Sequence, residues 1–139
     1  MTVRSADEKF SRVMRLTRTR DISRVFRSGI SVHNPYLIVR ARKRGDSPAR
    51  LGFALARKHV HSAVLRNRAK RMVRESFRKH ARLLRGYDVV VVSRPGLAAV
   101  DRRELRGEVD RQWARLVSEG AAEGRKGTAR GRRAGPTDG

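Results

Sequence analysis

The sequence predicts an α+β domain, a sandwich in which helices pack on one face of a small mixed sheet. Two patterns carry that reading. Apolar residues alternate with period two over Ile30–Arg44 and Leu51–Ala56 and run together over Val89–Val92, whereas they recur every three or four residues over Ala63–Leu84 and Asp101–Val117. A third observation bounds the size: the chain has 139 residues with no internal repeat and no second hydrophobic block, so one core is expected.

Residues 1–17 are polar and basic without a sustained period, and are read as a flexible arm with a slight core role that orders on a partner. The domain itself spans residues 18–118. Its first element, Thr19–Ser28, reads as a short helix, with Thr19 as the cap, Asp21 favourably placed in the first turn and Gly29 as a left-handed stop. Ile22, Val25 and Phe26 share one of its faces.

Over Ile30–Arg44, Tyr36, Ile38 and Arg40 fall on one side and Leu37, Val39 and Ala41 on the other, and Asn34-Pro35 divides the stretch into two strands. Gly45-Asp46-Ser47-Pro48 is a turn cluster. Beyond it Leu51, Phe53 and Leu55 alternate with Gly52, Ala54 and Ala56, which predicts a hairpin.

A long helix is expected from Ala63 to Leu84, capped by Ser62 and ended by Gly86. Leu65, Ala69, Met72, Val73, Phe77 and Leu84 build its apolar stripe, while Arg66, Lys70, Arg74 and Arg78 recur every fourth residue elsewhere. Tyr87–Ser93 is a buried strand and Arg94-Pro95-Gly96 a turn. Asp101–Val117 is the last helix, with Leu105, Val109, Trp113 and Leu116 inward and Asp101 and Glu104 as a variant capping box. Residues 119–139, rich in Gly, Ala and Arg, cannot bury enough apolar area to offset ordering entropy and are read as a disordered tail.

Charge indicates the partner. The chain has 35 Lys+Arg against 13 Asp+Glu, a formal +22, and such a surface repels itself unless something anionic neutralises it. Nucleic acid fits. An acidic membrane would call for a basic helix with a broad apolar face or a spanning segment of about 20 apolar residues, and the sequence has neither. Cysteine is absent, which excludes disulfides and thiolate zinc sites, and the N-terminus has no apolar signal region, so the chain is read as cytoplasmic.

Like charges at four-residue spacing cost a few tenths of a kcal/mol per pair in an isolated helix. Glu75 can relieve part of this through Arg71, Arg78 or Lys79, but one carboxylate cannot balance so many cations, whereas phosphates can. Guanidinium planes also stack on unpaired bases, which favours RNA. No cluster of carboxylates and no His-based acid–base pair stands out, so the chain is not expected to be a nuclease by itself. His59 and His61 lack a third ligand at metal spacing and are read as loop residues near RNA. Phe77 and Trp113 are read as core, and Phe26 as either core or a stacking platform.

The run from Ala63 to Arg78, with Arg66-Asn67-Arg68 near its start, resembles the RNR signature of the bacterial ribonuclease P protein family. Arg15-Leu16, Asp21-Ile22-x-x-Val25-Phe26-x-x-Gly29, Gly52, Arg57-Lys58 and Asp88 to Pro95 resemble that family in the same order, so the likeness covers roughly residues 12 to 117. It implies element order αβββαβα on a four-stranded sheet, akin to a ribosomal-protein domain, with a left-handed crossover through the long helix.

It also implies that catalysis and its magnesium ions belong to an RNA subunit, and that the protein is monomeric within the holoenzyme. The implied contacts to that RNA are Lys58, Arg66, Asn67, Arg68, Lys70, Arg71, Arg74 and Arg78. A cleft for the 5′ leader of precursor tRNA is implied at Arg15, Arg18, Ile22, Phe26, Tyr36, Ile38 and Arg40. Ile22 stands where the family commonly has an aromatic residue, which shifts weight from stacking to charge. The competing expectation is a structural ribosomal or other RNA-binding protein with no role in processing.

Overall fold

The computed structural model of the chain describes residues 14–130, and side chains as far as Ala122. Its elements are α1 (Thr19–Ser28), β1 (Ile30–His33), β2 (Leu37–Lys43), β3 (Arg50–Ala54), α2 (Ala63–Lys79), β4 (Tyr87–Ser93), a 3-10 turn (Pro95–Ala99) and α3 (Arg102–Arg130). The sheet order is β1-β2-β4-β3, with β1/β2 and β2/β4 antiparallel and β3/β4 parallel. The expected β2–β3 hairpin does not form. β4, buried on both faces, lies between those two strands, because a run of four valines loses most by leaving either face to water.

Leu37, Val39, Ala41, Val89 and Val91 face α2 and α3, where Phe77 and Trp113 meet edge to face at 5.8 Å between ring centroids. The Trp113 indole donates to the Ser76 hydroxyl at 2.7 Å, and that hydroxyl donates to the Asp110 carboxylate, so the polar edge of the core pair is satisfied. Val90 faces the other way, against Val25 of α1 and Leu16. Two helices therefore cover one face and α1 covers the opposite one, a departure from the one-sided packing read from the sequence.

Several boundaries move for local reasons. Thr19 is the first residue of α1 and makes no cap; Arg18 is the N-cap, without a side-chain hydrogen bond. Gly29 is extended, at φ −93°, and is needed for space: a Cβ there would lie 2.4 Å from the Val25 carbonyl oxygen and 2.5 Å from that of Ala41. α2 stops at Lys79, five residues early, because the His80 ring takes the Ser76 carbonyl at 2.7 Å and the chain then turns up to Gly86 at φ 91°.

Both termini of the domain also extend. Of the arm, residues 1–13 lie outside the described residues, but Leu16 is only 2% exposed and its amide donates to the Leu51 carbonyl at 2.9 Å, so the end of the arm is core. α3 runs past Val117 to Arg130, passing Gly120 against the Tyr87 hydroxyl, so helix replaces the first part of the expected disordered tail. Residues 131–139 lie outside the described residues.

Candidate nucleic-acid interface

The apolar stripe of α2 decides where its charges point. Ser62 caps the helix by accepting from the Leu65 amide at 3.2 Å, and Ala69, Met72, Val73, Ser76 and Phe77 are buried. The rest carries seven cations and one carboxylate. That carboxylate, Glu75, faces Arg106 of α3 at 3.8 Å and not Arg71, Arg78 or Lys79. Arg66, Arg68, Lys70, Arg71 and Arg78 form no ion pair among the described residues.

Lys70 and Arg74 instead lie over the Phe53 ring of β3, at 5.9 and 5.5 Å from its centroid. Burial, and then the positive charges of Arg15 and Arg71, push the Arg74 pKa down from its ordinary value. An anion placed there would offset the repulsion among these cations. Lys58, Asn67, Arg68 and Arg71 are exposed, and Arg78 is half-buried. Arg66 is partly committed to the fold, since its guanidinium donates to the Val60 and His61 carbonyls at 2.9 Å each and pins the loop that enters α2.

The residues assigned to a leader cleft do not gather in one place. Arg15 and Ile22 line a groove of about 340 Å³ together with Gly52, Phe53, Lys70 and Arg74, so part of the leader set and part of the RNA-subunit set share one surface. On α1, Phe26 is 40% exposed and the Arg40 guanidinium sits 5.5 Å from its ring centroid. Arg40 also donates to the Phe26 carbonyl at 2.7 Å and to the Ser31 hydroxyl at 2.6 Å, which holds the end of α1 on the sheet. One row beyond Arg40, the strand register aligns His33, Ile38, Val92 and Ala54, all exposed or half-buried, as an open strip of sheet.

Of that strip only Ile38 was legible in the sequence; the others depend on register. Tyr36 does not join it. Its hydroxyl donates to the Glu104 carboxylate of α3, a hydrogen bond that holds the Tyr36 pKa up, and this places the ring with the core on the opposite face. Arg18 is exposed at the start of α1.

A buried ion cluster ties these parts together. Asp88 accepts from Arg44 at 2.6 Å and from Arg50 at 2.8 Å through each carboxylate oxygen, and Arg50 reaches Asp21 of α1 at 3.5 Å. Burial by itself would raise the Asp88 pKa, but the hydrogen bonds from Arg50 and Arg44 outweigh it and hold the carboxyl below its ordinary value. His59 is held inward, its Nδ1 2.9 Å from the Ser93 hydroxyl, while His61 is exposed. Among the described residues no group of three or more His, Asp or Glu is placed to hold a metal ion, and no helix is long and apolar enough to cross a membrane.

Comparison with known proteins bears on these surfaces. Residues 10–117 match the family profile of ribonuclease P. The chain is 40% identical to the ribonuclease P protein component of Pseudomonas aeruginosa strain LESB58 over 109 residues, 78% of this chain and 81% of that one. It is likewise 40% identical to that of Nitrosococcus oceani over 110 residues, 79% of this chain and 92% of that one. Among solved structures, the ribonuclease P protein of Thermotoga maritima superposes with a TM-score of 0.65 at 36% identity, covering 73% of this chain and 96% of that one. Agreement of profile, sequence and fold over the segment that carries α1, the sheet and the basic helix shows that the chain belongs to the ribonuclease P protein family.

Proposed function

We propose that the chain binds the catalytic RNA subunit of ribonuclease P through the basic side of α2, holds the 5′ leader of precursor tRNA beside α1, and so promotes endonucleolytic removal of that leader. One observation carries this reading: α2 presents seven cations with a single carboxylate, and that carboxylate is turned to α3. Phosphates of a folded RNA supply the missing negative charge, and about six to ten such contacts make binding fall by ~10³ to 10⁵ between low and moderate salt. Beside α1, the exposed Phe26 ring under Arg40 and the open strip with Ile38 offer a stacking surface for an unpaired strand.

Hydrolysis with magnesium is assigned to the RNA, and the working compartment to the cytoplasm. The protein acts as a single copy that positions substrate. Reconstitution with ribonuclease P RNA at near-physiological magnesium tests this directly: the chain is expected to raise the cleavage rate of precursor tRNA and to be inert without the RNA. Cleavage by rigorously purified protein, lost on mutating a carboxylate, would overturn that division of labour. Co-purification separates the ribosomal alternative, since recovery only with ribosomal subunits, without ribonuclease P RNA, would favour it.

A further inference from the structure

Leu65, Arg68, Ala69 and Met72 mark a different side of α2 from Lys70 and Arg74, and they face the 3-10 turn and the start of α3 across a slot of about 130 Å³. Its floor is apolar, with Val60, Leu97 and Leu105 all buried. Its rim is cationic: Arg68 stands on the α2 side and Arg102 on the α3 side, and no acidic side chain lines it. Neither arginine forms an ion pair among the described residues, whereas Arg106 and Arg111 of α3 both do.

The dimensions limit the occupant. A cavity of roughly 150 Å³ with aliphatic walls takes up one benzene-sized ring, while drug-sized ligands occupy about 300 Å³ or more. A single planar ring therefore fits here. The mouth is not shielded from water: Leu65, which lines it, is 40% exposed. Apolar floor, single-ring volume and paired cations at the rim together match one nucleotide, with its base in the slot and its phosphate between the guanidinium groups.

We propose that this slot between the N-terminal ends of α2 and α3 receives one unstacked base of the RNA partner. The inference rests on the RNA-binding reading of α2, and adds to that charge contact a point of insertion that fixes the register of the protein on the RNA. A base that must leave its stack also makes the contact selective for an unpaired nucleotide over a regular duplex.

Ala98 lines the slot and is exposed, so Ala98→Phe fills it from the solvent side with little demand on the core. Binding of the full chain to ribonuclease P RNA is measured for Ala98→Phe and, in parallel, for Arg71→Ala, which lies outside the slot. Ala98→Phe is expected to lose about tenfold in affinity, the order of effect of removing one base-stacking site. If Arg71→Ala weakens binding and Ala98→Phe, folded by circular dichroism, does not, the slot proposal fails while the RNA-binding reading stands. If neither does, the RNA-binding reading fails with it.

Methyl NMR of the unmodified chain decides the matter independently of any variant. Millimolar UMP, whose base is a single ring, is expected to shift the methyl signals of Val60, Leu65, Leu97 and Leu105, and inorganic phosphate is expected to leave them in place. No shift with UMP, or shifts produced only by an acidic phenylalanine-containing peptide, would overturn the proposal, the latter in favour of a protein occupant.

Discussion

The two faces of the sheet are built from the same strands and covered very differently. On one, α2 and α3 bring Phe77, Trp113 and Leu116 against Leu37, Val39 and Val91, all fully buried, with the polar edge of the tryptophan closed by Ser76 and Asp110. On the other, Val25 of the ten-residue α1 and Leu16 of the chain before it cover Val90, and the row containing Ile38 and Val92 stays partly open. The first face has enough apolar area to hold the domain together. The second is held more by charge, through Asp88, Arg44, Arg50 and Asp21, and leaves an aromatic ring and an arginine at its margin. Apolar burial is thus concentrated on one side of the sheet, and ion pairs with partly open surface on the other.

Substitutions can break or sharpen that contrast. The largest loss is expected at Trp113→Ala, about 3–5 kcal/mol in a urea denaturation curve, from the cavity and the lost hydrogen bond to Ser76. A loss under ~1 kcal/mol would show that the closed face does not carry the fold. Asp88→Asn is expected to cost about 2–3 kcal/mol by removing the negative charge that two arginines share and replacing one of its acceptor oxygens with a donor. Because the Asp88 pKa is depressed in the folded protein, its stabilisation is present above roughly pH 4, the unfolded value, and is lost as pH falls through the folded one. The gap between wild type and Asp88→Asn in thermal melts should therefore narrow as pH is taken below about 4, and a constant gap would contradict the assignment.

Smaller effects probe the open face and the basic helix. Phe26→Ala should weaken binding of precursor tRNA to the holoenzyme by about 1–3 kcal/mol, leave mature tRNA nearly unchanged, and cost less than ~1 kcal/mol of stability. Equal loss for both ligands would remove the leader assignment. Arg71→Ala, exposed on α2, should reduce the salt dependence of RNA binding by about one unit of log–log slope with no change in melting temperature. Arg66→Ala differs from it in an instructive way: the lost bonds to Val60 and His61 should lower stability as well as affinity.

Much of this was legible before any coordinates. Periodicity placed the strands and the cores of the two long helices, because side-chain alternation and the three-to-four repeat are local consequences of backbone geometry. The inward set of the last helix, Leu105, Val109, Trp113 and Leu116, is buried as its spacing predicts. Arg68, Arg71 and Lys79 of α2 are exposed because the apolar stripe beside them is buried, whereas Lys70 and Arg74 reach the Phe53 ring of β3. Helix ends were less legible at Lys79 and beyond Val117, where one histidine ring and one glycine against Tyr87 shift the boundary.

The sequence by itself determined which segments between Thr19 and Val117 are helix or strand, which side of the long helices is apolar, and that the surface carries a large excess of positive charge. The tertiary structure decided that β4 separates β2 from β3, that α1 lies across the sheet from α2 and α3, that Tyr36 turns to Glu104 and not to Phe26, and which arginines are tied to the fold. Backbone hydrogen bonds pair strands without regard to side-chain identity, so partner and register follow from how all the apolar faces are buried at once. No window of the sequence short enough to show a period contains that information.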